Sequence, residues 1–217
     1  MPPPNPAQVK EIVKCGKDPI YFIKKHMRIR HPKRGVIPFD TYPFQDDCVR
    51  DFEKHRLNIV LKSRQLGLST IAAAYAVWLA IFHKDKTILI IATKLPTAIN
   101  FIKKVKVMLD NIPSWLLLPK CDPTKQAITF DNGSSITAIP TSDDAGRSEA
   151  LSLLIVDECV GGDTMIEIRN QFTGEETKIS MKDLYLLLQF EHKDIGYIHI
   201  EDDNDMDEAI VDNSELV

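Results

Sequence analysis

Up to about residue 158, apolar positions along the 217-residue chain fall into short continuous runs separated by segments of helical period. Leu57-Asn58-Ile59-Val60-Leu61, Thr87-Ile88-Leu89-Ile90-Ile91-Ala92 and Leu151 to Val156 scarcely alternate, as strands covered on both faces do. Gln45 to His55, the alanine-rich Ser69 to Phe82, and Leu95 to Leu109 before Asn111-Ile112-Pro113 fit helices. Ala127 to Phe130 and Ser135 to Ile139 flank Asp131-Asn132-Gly133, a hairpin turn signal. Strands alternating with helices predict an α/β fold whose sheet is mostly parallel and carries helices on both faces.

The two ends read differently. Residues 1–43 are rich in proline and basic residues, and predict a short helix over about 7–15 followed by a loop-rich lead-in. The run Arg28-Ile29-Arg30-His31-Pro32-Lys33-Arg34 is read as a solvated surface in preference to a DNA contact. Past residue 158, Thr164 to Ile168 and Glu176 to Ile179 flank a polar turn with Gly174, and Ser180 is placed to cap a short helix from Met181 to Leu188. Glu201 to Val217 is dominated by Asp and Glu, the composition of a flexible tail.

Charge sharpens that division. The net charge of −4 conceals +7 over residues 1–158 and −11 over residues 159–217, a shift that marks a junction between modules. The basic part is compatible with a polyanion partner. Cys15, Cys48, Cys121 and Cys159 lack metal-ligand spacing, and the first three are expected to be ordinary reduced thiols. Met1-Pro2-Pro3-Pro4 opens no signal peptide, and Ile71 to Phe82 is too short to span a bilayer. A soluble intracellular protein with no membrane partner is expected.

The strand–loop–helix over residues 57–82 has the layout of a phosphate-binding loop, in which backbone N–H groups and a helix N-terminus face the phosphates. Lys62-Ser63-Arg64-Gln65-Leu66-Gly67-Leu68-Ser69-Thr70 departs from GxxxxGK[ST] twice: Ser63 stands where the first Gly belongs and Leu68 where the Lys belongs. Lys62 and Arg64 are both placed to clamp phosphate, and Ser69 keeps the hydroxyl that binds magnesium. About 90 residues on, Leu153-Leu154-Ile155-Val156-Asp157-Glu158 is an apolar strand ending in paired carboxylates. Asp157 would hold Mg2+ through water, and Glu158 would act as general base on the water attacking the γ-phosphate.

The loop from Lys62 to Thr70 resembles the deviant Walker A loop of large terminase subunits, the DNA-packaging ATPases of tailed bacteriophages, several of which place the phosphate lysine at the start of the loop. Leu153 to Glu158 resembles their Walker B strand. Tyr42-Pro43-Phe44-Gln45 resembles their adenine-recognition segment, with Gln45 reading the base edge. Ser142-Asp143-Asp144-Ala145-Gly146-Arg147 resembles the loop before Walker B, so that Arg147 would sense the γ-phosphate or contact DNA. The resemblance covers about residues 20–158. It implies an incomplete P-loop NTPase of the additional-strand type that binds ATP and Mg2+ through Lys62, Ser63, Arg64, Gln65, Gly67, Ser69, Thr70, Gln45, Arg147 and Asp157. It also implies double-stranded DNA, portal and small terminase as partners, in the cytoplasm of the infected bacterial host.

Beyond Glu158 the sequence does not read as the continuation of such a motor. Cys159-Val160-Gly161-Gly162-Asp163-Thr164 and the hairpin after it resemble the first conserved block of inteins, so a small β-hairpin-rich fragment of the Hint type is expected. Cys159 supplies the thiol that attacks the Glu158 carbonyl, and Gly161 and Gly162 allow a close backbone approach. A Thr-x-x-His block and a C-terminal His-Asn are absent: Gln189 and Gly196 stand three residues before His192 and His199. This resembles the N-terminal fragment of a split intein.

The organisation expected is that of a precursor: a lead-in (1–43), a partial terminase ATPase domain (44–158), a split-intein fragment (159–188) and an acidic tail (189–217). Trans-splicing from Cys159 would join it to a separately encoded C-terminal chain, giving a packaging ATPase, with weak or no ATP turnover beforehand. The −11 segment would steer a basic partner fragment or act as a solubilising tail. The alternative is a truncated, non-splicing P-loop ATPase fragment whose acidic tail is regulatory and masks a basic DNA surface.

Overall fold

The computed structural model describes residues 4–61, 65–117, 119–141, 150–157, 165–169, 176–180, 182–183 and 195–199. Two helices open the chain, α1 (Pro6–Lys17) and α2 (Pro19–His26). Each begins with a proline after a polar cap: Asn5 accepts from the Gln8 N–H at 2.9 Å, and Asp18 from the Tyr21 N–H at 2.9 Å. The loop-rich lead-in expected after residue 15 is therefore ordered structure. It comprises α2 and an antiparallel hairpin of β1 (Arg28–His31) and β2 (Gly35–Pro38). Proline and basic residues here start a helix and decorate a hairpin.

Glu11 ties the first two helices together. It accepts from the Tyr21 hydroxyl at 2.9 Å and pairs with Lys25 at 2.9 Å, and His26 Nε2 lies 2.8 Å away. Cys15 and Cys48 are fully buried, and burial pushes both thiols up to about 12, leaving them unreactive.

Then come α3 (Pro43–Lys54), β3 (Leu57–Leu61), α4 (Leu68–Phe82), β4 (Thr87–Ala92) and α5 (Leu95–Asp110). After them run β5 (Cys121–Pro123), β6 (Ala127–Phe130), β7 (Ser135–Pro140) and β8 (Leu153–Asp157). β4 lies between β7 and β8 in a sheet ordered β5-β6-β7-β4-β8. It runs parallel to β7 (Ile90↔Ala138) and to β8 (Ile90↔Ile155). β6 runs antiparallel to β7, and β5 antiparallel to β6. The sheet is thus mixed, not mostly parallel. The Asp131-Asn132-Gly133 turn, with Gly133 at φ 83, reverses the chain too tightly for a parallel return.

The α4 helix is buried nearly all round, with Ile71, Ala73, Ala74, Ala76, Val77 and Ala80 at 1% exposure or less. With α5 it forms one core against a single sheet face, made of Ile88 and Ile90 of β4, Ile128, Ile136, Ala138, and the partly buried Leu153 and Ile155. On the opposite face Leu89 is covered, but Leu154 and Val156 are about half exposed. Among the described residues, therefore, the helical cover expected on both faces is present on one, while the other is only partly buried.

Two pairings lie outside this sheet. β9 (Met165–Arg169) and β10 (Glu176–Ser180) form an antiparallel hairpin, in register Thr177↔Ile168. The Ser180 hydroxyl accepts from the Asp183 N–H at 3.0 Å, the cap geometry expected there, while the rest of the expected helix lies outside the described residues. β11 (Ile195–His199), a strand the sequence pattern did not indicate, pairs in parallel with β3 in register Tyr197↔Ile59.

Candidate phosphate and metal site

β3 delivers the chain to the loop and α4 leaves it. Gln65 and Gly67 both take positive φ, at 69° and 71°, and Gly67 occupies the N-cap of α4. Left-handed backbone on both sides of Leu66 turns the chain sharply into the helix. The Gly67 carbonyl accepts from the Thr70 and Ile71 N–H groups at 2.9 and 3.0 Å. Gly67 has no side chain to cap α4, and among the described residues none takes its place, so the Leu68 and Ser69 N–H groups and the positive end of the helix dipole are left at the loop. An anion is the natural complement there.

Gln45 locks the loop from the other side. Its Oε1 accepts from the Tyr42 N–H at 3.1 Å and its Nε2 donates to the Leu66 carbonyl at 2.9 Å, with the residue 3% exposed. Beside it Tyr42 and Phe44 stack with ring planes 6° apart, and Tyr42 is 63% exposed. Gln45 therefore joins the Tyr42–Gln45 segment to the loop through the backbone, a contact that spacing alone did not reveal.

The second half of the site comes from β8. Asp157 stands in register with Ala92 of β4, at the carboxyl ends of the parallel strands. Such ends are where ligands lie in open α/β sheets. The Ser69 hydroxyl, at the second residue of α4, donates to Asp157 Oδ1 at 2.7 Å across 88 residues of sequence. Two oxygens cis to each other on Mg2+ stand about 3.0 Å apart for bonds near 2.1 Å, so a small movement would suit this pair to a shared hard cation. A hydroxyl and a carboxylate, with room left for waters and phosphate oxygens, is a donor set that Mg2+ accepts.

Of the residues expected from sequence, the structure brings together Ser69 and Asp157 directly, with Thr70 following Ser69, and Gln45 with Gly67 and Leu66. Gln65 supplies one of the two left-handed positions. Lys62, Ser63, Arg64, Arg147, Glu158 and Cys159 lie outside the described residues, as does the loop from Ser142 to Arg147. No helix among the described residues is long and apolar enough to cross a membrane.

A family model described as "Terminase large subunit, T4likevirus-type, N-terminal" matches residues 59–168, half of the chain. The matched span takes in the loop, β8 and all but the last residue of β9. Among solved structures, "Crystal structure of the HK97 bacteriophage large terminase" is similar at 15% identity with a TM-score of 0.49. The similarity covers 65% of this chain and 37% of that one.

Proposed function

The chain belongs to the family of T4likevirus-type terminase large subunits, N-terminal region, and from that premise we propose that residues 44–158 form the ATP- and Mg2+-binding part of a DNA-packaging ATPase with a P-loop fold. The observation that carries this is the Ser69–Asp157 hydrogen bond, which joins the first turn after a phosphate-type loop to the end of a parallel strand. When bound, Mg2+ would be held at Ser69 and Asp157 and would neutralise charge developing on the phosphate oxygens. Gly67 and the first turn of α4 would present backbone N–H groups to phosphate, with Lys62 or Arg64 as the clamping cation. Glu158 would take a proton from the attacking water. Gln45 would hold the Tyr42–Phe44 pair against the loop, so that base and phosphate contacts act together.

The segment after Glu158 is read as the N-terminal part of a split intein. Its support is the charge break at residue 158, the Cys159-to-Thr164 sequence, and the β9–β10 hairpin that forms a sheet of its own. The Cys159 sulfur would attack the Glu158 carbonyl carbon. The peptide C–N bond breaks, the Cys159 nitrogen takes up a proton, and a thioester forms for transfer to a nucleophile on a C-terminal chain. Double-stranded DNA, portal and small terminase would then engage the ligated product in the host cytoplasm.

A second reading, an unspliced ATPase fragment with a regulatory acidic segment, is favoured by one observation: β11 pairs with β3, the strand that leads into the loop. Mass spectrometry separates the two. The chain is mixed with extract holding the remaining terminase reading frame, alongside Cys159→Ala. Splicing yields a product joined after residue 158, lost in the variant; an unchanged mass together with no thiol-induced cleavage after Glu158 supports the regulatory reading. ATP hydrolysis by the ligated product, abolished by Asp157→Asn, tests the nucleotide site.

A further inference from the structure

The hairpin of β1 and β2 carries a concentration of positive charge that its surroundings leave unmatched. Arg28 and Arg30 lie on the exposed side of β1, while the intervening Ile29 packs against the core. Lys33 and Arg34 are exposed at the tip, where their N–H groups donate to His31 Nδ1 at 3.1 and 3.2 Å. None of these four cations forms an ion pair among the described residues. Immediately before them, Lys24 pairs with Asp46 and Lys25 with Glu11. Asp46 and Glu11 thus serve the preceding lysines and not the hairpin.

Position adds to charge. A lone two-stranded hairpin is marginal in water, and this one stands on a firm base. Phe39 N–H donates to the Met27 carbonyl at 3.0 Å, and both side chains are buried. Across the ladder Arg28 faces Pro38 and Arg30 faces Val36, so no acid opposes either arginine. Arg28 and Arg30 are two residues apart on one face, about 6.8 Å, which equals the axial advance of two phosphates along one strand of a duplex. Four exposed cations on an anchored ribbon repel one another in the free protein, and an extended anion would relieve that repulsion at all four at once.

We propose that the β1–β2 hairpin is a sequence-independent docking site for the phosphate backbone of double-stranded nucleic acid, gripped by Arg28, Arg30, Lys33 and Arg34. The identity of the polyanion rests on the proposed packaging function; the site itself rests on the hairpin. Guanidinium groups take phosphate oxygens bidentately, which suits arginine at three of the four positions. With no base-reading element involved, binding would be electrostatic and steeply salt-dependent.

The test is fluorescence anisotropy of the full chain with a labelled random-sequence duplex across a salt series. The variant R28A/R30A/K33A/R34A is expected to bind more weakly and to lower the slope of log K against log salt by about 3.6, from about 0.9 per phosphate contact. K33E/R34E alters only the exposed tip and serves where the fourfold variant unfolds; it too should bind more weakly, with unchanged thermal unfolding. An unaltered slope in both variants would overturn the proposal. So would an equal loss on replacing Lys10, Lys14 and Lys17 of α1 by alanine, or binding to anionic phospholipid vesicles with none to duplex. Because Ser69 and Asp157 are untouched, duplex binding lost with binding of a fluorescent ATP analogue retained separates this site from the nucleotide reading.

Discussion

A Cβ atom built on Gly67 would stand 2.8 Å from Gln45 Nε2, closer than van der Waals contact permits. The N-cap of α4 and the buried amide that pins the loop are therefore fitted to one another, and neither has slack. Gly67→Ala adds the cost of left-handed backbone, about 1–2 kcal/mol, to this clash. The expected outcome is a folded chain with a lower unfolding temperature and weakened binding of a fluorescent ATP analogue. Calorimetry and nucleotide titration on the same preparation check both.

The Ser69 hydroxyl donates to Asp157 Oδ1, so under the proposed function its removal weakens the hold on Mg2+. In the ligated product, Ser69→Ala should raise the Mg2+ concentration needed for half-maximal hydrolysis by roughly tenfold, about 1.4 kcal/mol. Ser69→Thr retains the hydroxyl and should recover most of the loss. Magnesium titrations of the initial rate distinguish the two; equal curves for alanine and threonine would remove Ser69 from the metal site.

Asn132 holds the β6–β7 turn to the end of α4. Its Nδ2 donates to the Ala80 and His83 carbonyls at 2.8 and 3.2 Å, and its Oδ1 accepts from the Ser134 N–H at 3.0 Å. Asn132→Ala leaves those groups wanting, at a cost of about 1–3 kcal/mol. Thermal unfolding should fall by about 2–4 °C for each kcal/mol lost.

Acid should loosen the α1–α2 pair. His26 and Lys25 beside Glu11 lower its carboxyl from 4.5 to about 2. A carboxyl depressed on folding contributes stability that is complete above its unfolded value, near 4.5, and lost as pH falls through about 2. Wild type should thus unfold at higher temperature than Glu11→Gln at pH 6, and the difference should shrink between pH 4.5 and pH 2. A gap that persists at pH 2 would assign the effect to packing instead of charge.

Much of this fold was written locally. The unbroken Ile88-to-Ala92 run marks a covered strand, and Asp131-Asn132-Gly133 marks a hairpin, because each pattern is set within a few residues. The same turn held the evidence against a mostly parallel sheet, since a tight reversal forces β6 to run antiparallel to β7. The α2 helix was also legible, in Asp18-Pro19 as cap and first residue, but the surrounding basic and proline-rich composition obscured it. Non-local pairings were not legible. The hold of Gln45 on Leu66 depends on how α3 meets the loop, the Glu11 cluster on two helices crossing, and the β11–β3 ladder on residues more than 130 positions apart. Within the site, Ser69 and Asp157 were identified by residue type and spacing, whereas their direct contact depended on the register of β8 against β4.

That contact joins the first turn of α4 to the end of β8 in the five-stranded sheet, whereas β3, which leads into the loop before α4, pairs among the described strands with β11. The two halves of the candidate site are thus joined by side chains and helix packing and not by a shared backbone ladder. A ligand seated between Ser69 and Asp157 therefore acts on how α4 packs against β8 and leaves the interstrand ladders untouched.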